Sequence, residues 1–373
     1  MKARVRAIVA GVLLSLSTLA PTAAHAQPAA PGPCIPGGLP SGALSLVCVP
    51  SAGWNGQLVV FAHGYVSAGQ PLGFYHLTLG GISLPLVIQS QGFAFATTSY
   101  RQNGLAILEG ADDIRELVSA FTVRHGVPTR TLITGASEGG LVAALLLEQS
   151  PDLFSSGLAA CGPVGSFRAQ VNYVGDFRVL FDYFFPGVIP GTAIDVPPDV
   201  IANWFTRYLP AVQGALQANP ARALELMRTA KAAYDPANPL TIGQTAANVL
   251  WYNVFGTADA TDKLGGNPFG NEWRFYFGSS NDLRLNLRVQ RFAASRVAAA
   301  EMTRYETSGR LTRPLVTLHT TGDDVVPFWH EPLYLAKVLL TGHRGMIPLP
   351  VVRYGHCNFT TNEILTAFAL AAR

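Results

Sequence analysis

The chain has 373 residues, of which 49% are hydrophobic and only 13% are charged. This length and apolar content suffice for one large domain or two small ones with a substantial core, and they exclude an intrinsically disordered chain. The 37 glycines and 26 prolines follow no fixed period, which excludes a collagen-like fibre and predicts many loops.

The first 26 residues have the pattern of an export signal. Lys2, Arg4 and Arg6 precede an apolar run over residues 7–19, and Ala-His-Ala at 24–26 is a small-x-small cleavage site. A membrane anchor is the alternative, but the run is shorter than the ~20 residues of a spanning helix. The three cations account for the formal net charge of +3, so the remaining chain is neutral. We therefore expect a secreted or periplasmic protein without a stable membrane anchor and without a nucleic-acid partner.

The four cysteines are an even number, which favours disulfides in an exported chain, and four cysteines allow three pairings. Cys34 and Cys48 flank a short segment rich in glycine and proline, which favours a local bond between them. This leaves Cys161 with Cys357 as a long-range bond, and four unpaired buried thiols are the alternative. The chain has no Cys-x-x-Cys or His-Glu-x-x-His spacing, so we predict no metal site.

Short apolar runs bounded by turn residues alternate with helical patterns along most of the chain. The predicted elements are, in chain order, strands at 57–62 and 93–99, a helix at 107–125, a strand at 130–134, a helix at 139–149, strands at 157–160 and 314–320, a helix at 329–340, a strand at 347–354 and a helix at 362–372. Buried strands that alternate with helices indicate an α/β fold, with a mostly parallel central sheet and helices on both faces.

The alternation stops between residues 163 and 310, where the sequence indicates helices with irregular connections and many aromatic residues. We predict that 163–310 is a mainly helical cap, inserted into a core formed by 27–162 and 311–373. Most of the aromatic rings fit an ordinary helical core. Some of them are expected to line an apolar cleft over a site on the sheet.

A candidate nucleophile lies in the sequence Thr-Leu-Ile-Thr-Gly-Ala-Ser-Glu-Gly-Gly at residues 131–140. It contains Gly-x-Ser-x-Gly between a predicted strand and a predicted helix, which is typical of a sharp turn that projects the serine hydroxyl from a sheet. The flanking residues must be glycines, because a Cβ there would clash. The same turn places the N–H of Glu138 at a helix start, facing a developing oxyanion. Ser137 is therefore the candidate nucleophile, and Glu138 contributes only its amide.

A serine nucleophile needs a base, and the base needs an orienting carboxylate. Two neighbouring acids, Asp323 and Asp324, follow a predicted strand in an Asp-Asp-Val-Val-Pro loop. The loop resembles the acid loops of serine hydrolases, in which the acid usually lies four residues before the proline. This resemblance favours Asp323, and Asp324 is the alternative. His356, in a Gly-His-Cys loop after the last predicted strand, is the candidate base, whereas His319 lies within a strand.

The serine, acid, histidine order and the loops around these residues resemble the α/β-hydrolase superfamily, from about Gln57 to the C-terminus. The resemblance implies an α/β-hydrolase fold and a serine hydrolase that forms an acyl-enzyme and needs no metal or organic cofactor. His-Gly-Tyr at 63–65 ends the first long strand. The resemblance implies that the Tyr65 N–H is an oxyanion donor together with the N–H of Glu138.

The pair His356-Cys357 also resembles relatives of tannase and feruloyl esterase, in which a cysteine beside the nucleophile bonds one next to the histidine. Here Ala136 precedes Ser137, so this particular bond cannot form. Cys161, which ends the next predicted strand, could substitute and hold the histidine loop.

These features together predict a secreted serine carboxylic-ester hydrolase. The aromatic cap favours apolar or aromatic ester substrates, either small molecules or polymers, such as polyester oligomers or phenolic esters. The alternative is a secreted serine peptidase of the aminopeptidase or prolyl-oligopeptidase type on the same fold. An exopeptidase often needs buried carboxylates that hold the substrate amine, and the cap has only scattered acids.

Overall fold

The structure is a computed structural model that describes residues 29–373. The predicted export signal at 1–26 lies outside these residues. The described strands are β1 (Cys34–Gly38), β2 (Leu44–Cys48), β3 (Gln57–Ala62), β4 (Thr78–Leu79), β5 (Ile82–Ser83), β6 (Ala94–Thr98), β7 (Arg130–Ala136), β8 (Ser156–Ala160), β9 (Leu315–Gly322) and β10 (Met346–Tyr354).

The described helices are α1 (Leu84–Ser90), α2 (Ile107–His125), α3 (Glu138–Gln149), α4 (Phe167–Phe184), α5 (Pro198–Ala202), α6 (Leu209–Ala218), α7 (Pro220–Ala230), α8 (Leu240–Lys263), α9 (Asp282–Arg288), α10 (Arg296–Glu301), α11 (His330–Leu340) and α12 (Thr361–Ala371). A π-helical turn at Trp204–Tyr208 precedes α6, and a 3-10 turn at Met302–Tyr305 follows α10. Within residues 29–373, no helix is both long and apolar enough to span a bilayer.

One sheet of eight strands forms the centre of the molecule, in the order β1-β2-β6-β3-β7-β8-β9-β10. Neighbouring strands from β6 to β10 are parallel, and β2 runs antiparallel to both β1 and β6. Parallel neighbours need crossover connections, which helices usually supply. This arrangement confirms the predicted α/β fold with a mostly parallel sheet.

Helices cover both faces of the sheet, as the fold class requires. Successive residues of β3 alternate between two apolar clusters, because side chains of a strand point to opposite faces. Leu58 and Val60 pack in the cluster that contains residues of α2, α3 and α11, whereas Val59 and Phe61 pack with residues of α1 and α12. The two clusters are the two sides of the core.

The segment between β8 and β9 contains α4 to α10 and has an apolar cluster of its own. This cluster includes Phe177, Phe181, Trp204 and Leu250, which are almost completely buried. The helices occupy the range of the predicted cap at 163–310. Its division from the core as a separate lid stays a prediction.

Each predicted strand and helix overlaps an element of the same type in the structure. The hairpin β1–β2 and the helix α1 were not predicted. β1 reads Cys-Ile-Pro-Gly-Gly, a composition with low strand propensity, and it forms a strand as the partner of β2. Cys34 lies opposite Cys48 in this pairing and is joined to it by a disulfide.

Candidate active site

Ser137 lies in the turn between β7 and α3, with φ 57° and ψ −125°. Residues with a side chain rarely adopt a positive φ, and such strained positions cluster at functional sites. The neighbouring chain leaves no room for side chains beside it: a Cβ on Gly135 would lie 2.0 Å from the Gly139 oxygen, and one on Gly139 would lie 2.1 Å from the Ala62 oxygen. Both glycines of the motif are therefore required for this turn.

The structure brings Ser137, His356 and Asp323 together at the carboxyl ends of β7, β10 and β9. The His356 Nε2 lies 2.9 Å from the Ser137 Oγ, and its Nδ1 lies 2.8 Å and 3.0 Å from the two carboxylate oxygens of Asp323. With Nδ1–H donating to the carboxylate, Nε2 accepts the hydrogen bond of the serine hydroxyl. The imidazole is thus oriented to remove a proton from Ser137.

Asp323 is 1% exposed and lies in the loop after β9. Its Oδ1 accepts hydrogen bonds from the backbone N–H groups of Val325 (3.0 Å) and Val326 (2.8 Å). Burial alone favours the neutral acid, but the attraction of His356 and His319 and the hydrogen bond from His356 hold the pKa of Asp323 below its usual range. The carboxyl is therefore ionised at neutral pH.

Asp324, the alternative acid in the sequence, has no hydrogen bond to His356, whose Nδ1 is bonded to Asp323. Its Oδ2 accepts a hydrogen bond from the Asn248 side chain at 2.8 Å, and its carbonyl oxygen accepts one from the Tyr173 hydroxyl at 2.7 Å. Both partners belong to the helices between β8 and β9. Asp324 therefore connects the acid loop to these helices.

His319 is a fully buried residue of β9 that lies next to Asp323. Its Nε2 lies 2.8 Å from the Val326 oxygen and 3.4 Å from the Asp323 Oδ2, and its Nδ1 lies 3.2 Å from a Glu331 oxygen. Burial lowers the pKa of His319, but the ion pair with Asp323 and the hydrogen bond to Glu331 outweigh it and raise the pKa to about 10. A buried cation thus supports the carboxylate that orients His356. This contact was missed, because a histidine within a strand gives no sign of which loop it faces.

Tyr65 and Glu138, whose N–H groups are the predicted oxyanion donors, both line a cavity together with Ser137. Glu138 is the first residue of α3, so its N–H has no partner within the helix. Among residues 29–373, neither of these two N–H groups donates to another protein group. A Cβ on Gly64 would lie 3.2 Å from the Ser137 Cβ, so glycine allows the chain that carries Tyr65 to approach the serine closely.

The Glu138 side chain is also part of this region, although the sequence assigned it no role. Its Oε1 accepts a hydrogen bond from the Ala106 N–H at 2.8 Å, and the side chain borders the cavity at Ser137. Burial, the largest cause, raises its pKa to about 8. The carboxyl is therefore mostly neutral at pH 7 and adds little negative charge beside the two amides.

A disulfide joins Cys161, at the end of β8, to Cys357, next to His356. Both residues have a positive φ (46° and 49°). Ser137 is tied to the same strand end, because its N–H donates to the Ala160 oxygen at 2.9 Å. The bond thus holds the histidine loop against the turn that carries the serine. The two sulfurs also lie close to His356, but as a disulfide they offer no thiolate to a metal ion.

Two cavities meet at Ser137. We call the first the insertion cavity; it has a volume of about 150 Å³ and is lined by residues that include Glu138, Phe167, Val174, Phe269 and Val325. We call the second the sheet cavity; it has a volume of about 380 Å³ and is lined by residues that include Val87, Leu318, His356, Ile364 and Phe368. Tyr65, Ser137 and Tyr252 line both.

No protein-family model matches the sequence, and no curated protein matches it. The structure is similar to that of an acylaminoacyl peptidase in complex with Z-Gly-Gly-Phe-chloromethyl ketone, with a TM-score of 0.47 and 14% identity. The match covers 92% of this chain and 41% of the peptidase, so the chain spans about two fifths of that protein's length.

Two further solved structures have similar values. An esterase from Pyrococcus furiosus has a TM-score of 0.46 and 10% identity, over 91% of this chain and 88% of the esterase. Oligopeptidase B from Leishmania major has a TM-score of 0.45 and 13% identity, over 90% of this chain and 36% of the oligopeptidase.

Proposed function

We propose that the protein is an exported serine hydrolase that cleaves apolar carboxylic esters. His356 takes the proton of Ser137, whose oxygen attacks the ester carbonyl, and the Tyr65 and Glu138 amides bind the oxyanion. His356 then protonates the leaving alcohol, and water attacks the acyl-enzyme in the same way. Asp323 holds the imidazole in the required tautomer.

One observation carries this proposal: the 2.9 Å contact between the Ser137 Oγ and the His356 Nε2, with Asp323 2.8 Å from the opposite ring nitrogen. Such a nucleophile, base and orienting acid are the three parts that acyl transfer needs. The proposed reaction needs no cofactor, since His356 accepts and returns the proton in both steps.

Apolar esters are favoured over peptides by the chemistry of the two cavities. A peptide extends its own N–H and C=O groups on both sides of the cleaved bond, and these groups lose hydrogen bonds when apolar walls exclude water. An aminopeptidase also needs an ionised carboxylate for the substrate amine. Among the described residues, Glu138 is the only acid that lines either cavity, and burial raises its pKa to about 8, so it is mostly neutral at pH 7.

Export is supported by the pattern of residues 1–26 and by the two disulfides, which persist in oxidising compartments. We propose the periplasm or the medium as the destination, and small-molecule or polymeric esters as the partners of the site.

Parallel assays of the protein on p-nitrophenyl esters and on aminoacyl p-nitroanilides test the proposal. We expect ester cleavage to have the larger kcat/KM, and Ser137→Ala to abolish it without changing the melting temperature. Faster cleavage of the anilides would establish the serine peptidase instead. The absence of both activities in the folded protein would contradict the proposal altogether.

A further inference from the structure

The two cavities at Ser137 differ in which catalytic groups border them. His356 and Cys357 line the sheet cavity and not the insertion cavity. Glu138, Val325 and Val326 line the insertion cavity and not the sheet cavity. The imidazole therefore faces one cavity, which makes the two sides of the site chemically distinct.

This asymmetry matters because the two halves of an ester behave differently in the proposed reaction. The Ser137 Oγ forms a bond to the carbonyl carbon while its proton passes to the His356 Nε2. When the bond from that carbon to the alcohol oxygen breaks, the same proton passes to the alcohol oxygen. That oxygen must lie within hydrogen-bond reach of Nε2, so the alcohol chain begins on the histidine side.

The walls of the sheet cavity are suited to a hydrocarbon chain. Val59, Phe95 and Leu318 form the sheet side, and residues of α1 and α12, such as Ile88 and Phe368, form the opposite side. Among the described residues, the lining of this cavity contains no Asp, Glu, Lys or Arg. Apart from two tyrosines and the two disulfide-bonded cysteines, its titratable side chains are those of His76 and His356. A polar chain would lose its water there without gaining partners, whereas an aliphatic chain gains from burial.

The volumes of the cavities indicate which half of the substrate is larger. The sheet cavity, at about 380 Å³, is more than twice the size of the insertion cavity, at about 150 Å³. A space of this size lies in the range of small-molecule sites.

We infer that the sheet cavity binds the leaving alcohol, and that the substrates are esters of a medium-chain aliphatic alcohol with a smaller apolar acyl group. This inference rests on the proposed function and assigns the two halves of its substrate to the two cavities.

The test compares two ester series by product analysis. Methyl, butyl and octyl butyrate vary the alcohol at a constant acyl group, and methyl butyrate, octanoate and dodecanoate vary the acyl group at a constant alcohol. We expect kcat/KM to rise along the alcohol series by up to about fourfold per buried methylene, at least tenfold in all. We expect it to rise less, or to fall, along the acyl series.

Two matched variants connect each series to one cavity. Val87 lines only the sheet cavity and Val174 only the insertion cavity, and both are half-buried helix residues outside the catalytic groups. We expect Val87→Phe to remove the preference for octyl butyrate and to leave the acyl series unchanged. We expect Val174→Phe to change the acyl series alone. The reverse pattern, or a flat alcohol series in the unmodified protein, overturns the inference.

Two further measurements keep the test decisive if Val87→Phe fails to fold. Leu365→Phe narrows the same cavity from α12 and is expected to have the same effect. In the unmodified protein, 1-octanol should inhibit hydrolysis of methyl butyrate at least tenfold more strongly than 1-butanol, and equal inhibition contradicts the inference. Failure of the proposed function is distinguishable, because then no ester in either series is cleaved.

Discussion

The carboxyl edge of the sheet and the helices between β8 and β9 contribute to the site in different ways. At the sheet edge, polar groups have partners at 2.8–3.0 Å, and the serine lies in a turn of unusual backbone geometry. The inserted helices contribute mainly apolar walls, and they reach the acid loop through Tyr173 and Asn248. In the proposed reaction, the sheet edge supplies the groups of the chemical step, and the helices around it supply the apolar walls that the substrate contacts.

We expect the largest effect in a comparison of the two neighbouring acids. Asp323 bonds His356 at the sheet edge, and Asp324 bonds Asn248 of the inserted helices. Asp323→Asn should lower kcat by about 10⁴-fold, because the amide cannot hold His356 in the required tautomer. Asp324→Asn should lower it less than about tenfold, since Asp324 has no hydrogen bond to the imidazole and connects the acid loop to Asn248. Steady-state kinetics on one p-nitrophenyl ester measure both. A larger loss in the Asp324 variant would assign the orienting role to the wrong acid.

One disulfide closes the hairpin β1–β2, and the other holds the histidine loop. Cys34 and Cys48 are 14 residues apart, and Cys161 and Cys357 are 196 apart. The chain-entropy relation gives about 3 kcal/mol for the short loop and about 5 kcal/mol for the long one. We expect the double alanine variant of the long pair to lose more unfolding free energy and, in addition, activity. Denaturant unfolding and kcat test this, and equal losses in both variants would contradict it.

A substitution of His319 tests whether the buried cation next to Asp323 stabilises the folded protein. His319→Gln leaves Asp323 and Glu331 without a cation between them, and breaking a buried pair typically costs about 3–5 kcal/mol. The positive charge of His319 stabilises the folded state fully below pH 6.5, the ordinary pKa of histidine, and this stabilisation is lost as the pH rises through about 10. Unfolding by denaturant at pH 7 should show the loss. His343→Gln, on the surface turn after α11, is the control and should change stability by less than about 0.5 kcal/mol. Similar free energies of unfolding for both variants would contradict a stabilising role of the His319 charge.

The smallest expected effect is that of Glu138, which lines the insertion cavity together with Ser137. Its carboxyl is kept neutral by burial, so the folded protein loses stability as pH rises from about 4.5 to about 8, where the folded state also ionises. Glu138→Gln removes this loss, and it should raise the melting temperature at pH 9 by several degrees but not at pH 4. Above pH 8 the ionised carboxylate places a negative charge beside the oxyanion amides, so we expect kcat/KM to fall there in the unmodified protein and not in the Glu138→Gln variant. The exposed Glu272→Gln is the control, and identical pH profiles for all three proteins would contradict the prediction.

Much of the sheet could be predicted because its signals are local. The motif around Ser137 combines strand, glycine and helix patterns within ten residues, and the structure shows why both glycines are needed. The choice of Asp323 over Asp324 depended on spacing to Pro327, and the loop geometry directs Asp323 to His356. The disulfide pairing followed from the local loop between Cys34 and Cys48.

The features that sequence analysis missed depend on contacts between distant segments. His319 meets Glu331 only because α11 packs back on the sheet, and no sequence pattern encodes that contact. The sheet cavity lies between β-strands and two helices, one of which, α1, was not predicted. The neutral state of Glu138 follows from burial, which depends on the complete fold.

Covalent labelling by a fluorophosphonate probe tests the central claim most directly. The probe reacts with a serine only when a nearby base activates it. We predict rapid labelling of the peptide that contains Ser137, and loss of labelling in both Ser137→Ala and His356→Ala. Labelling of another serine, or undiminished labelling of Ser137 in folded His356→Ala protein, would contradict the account.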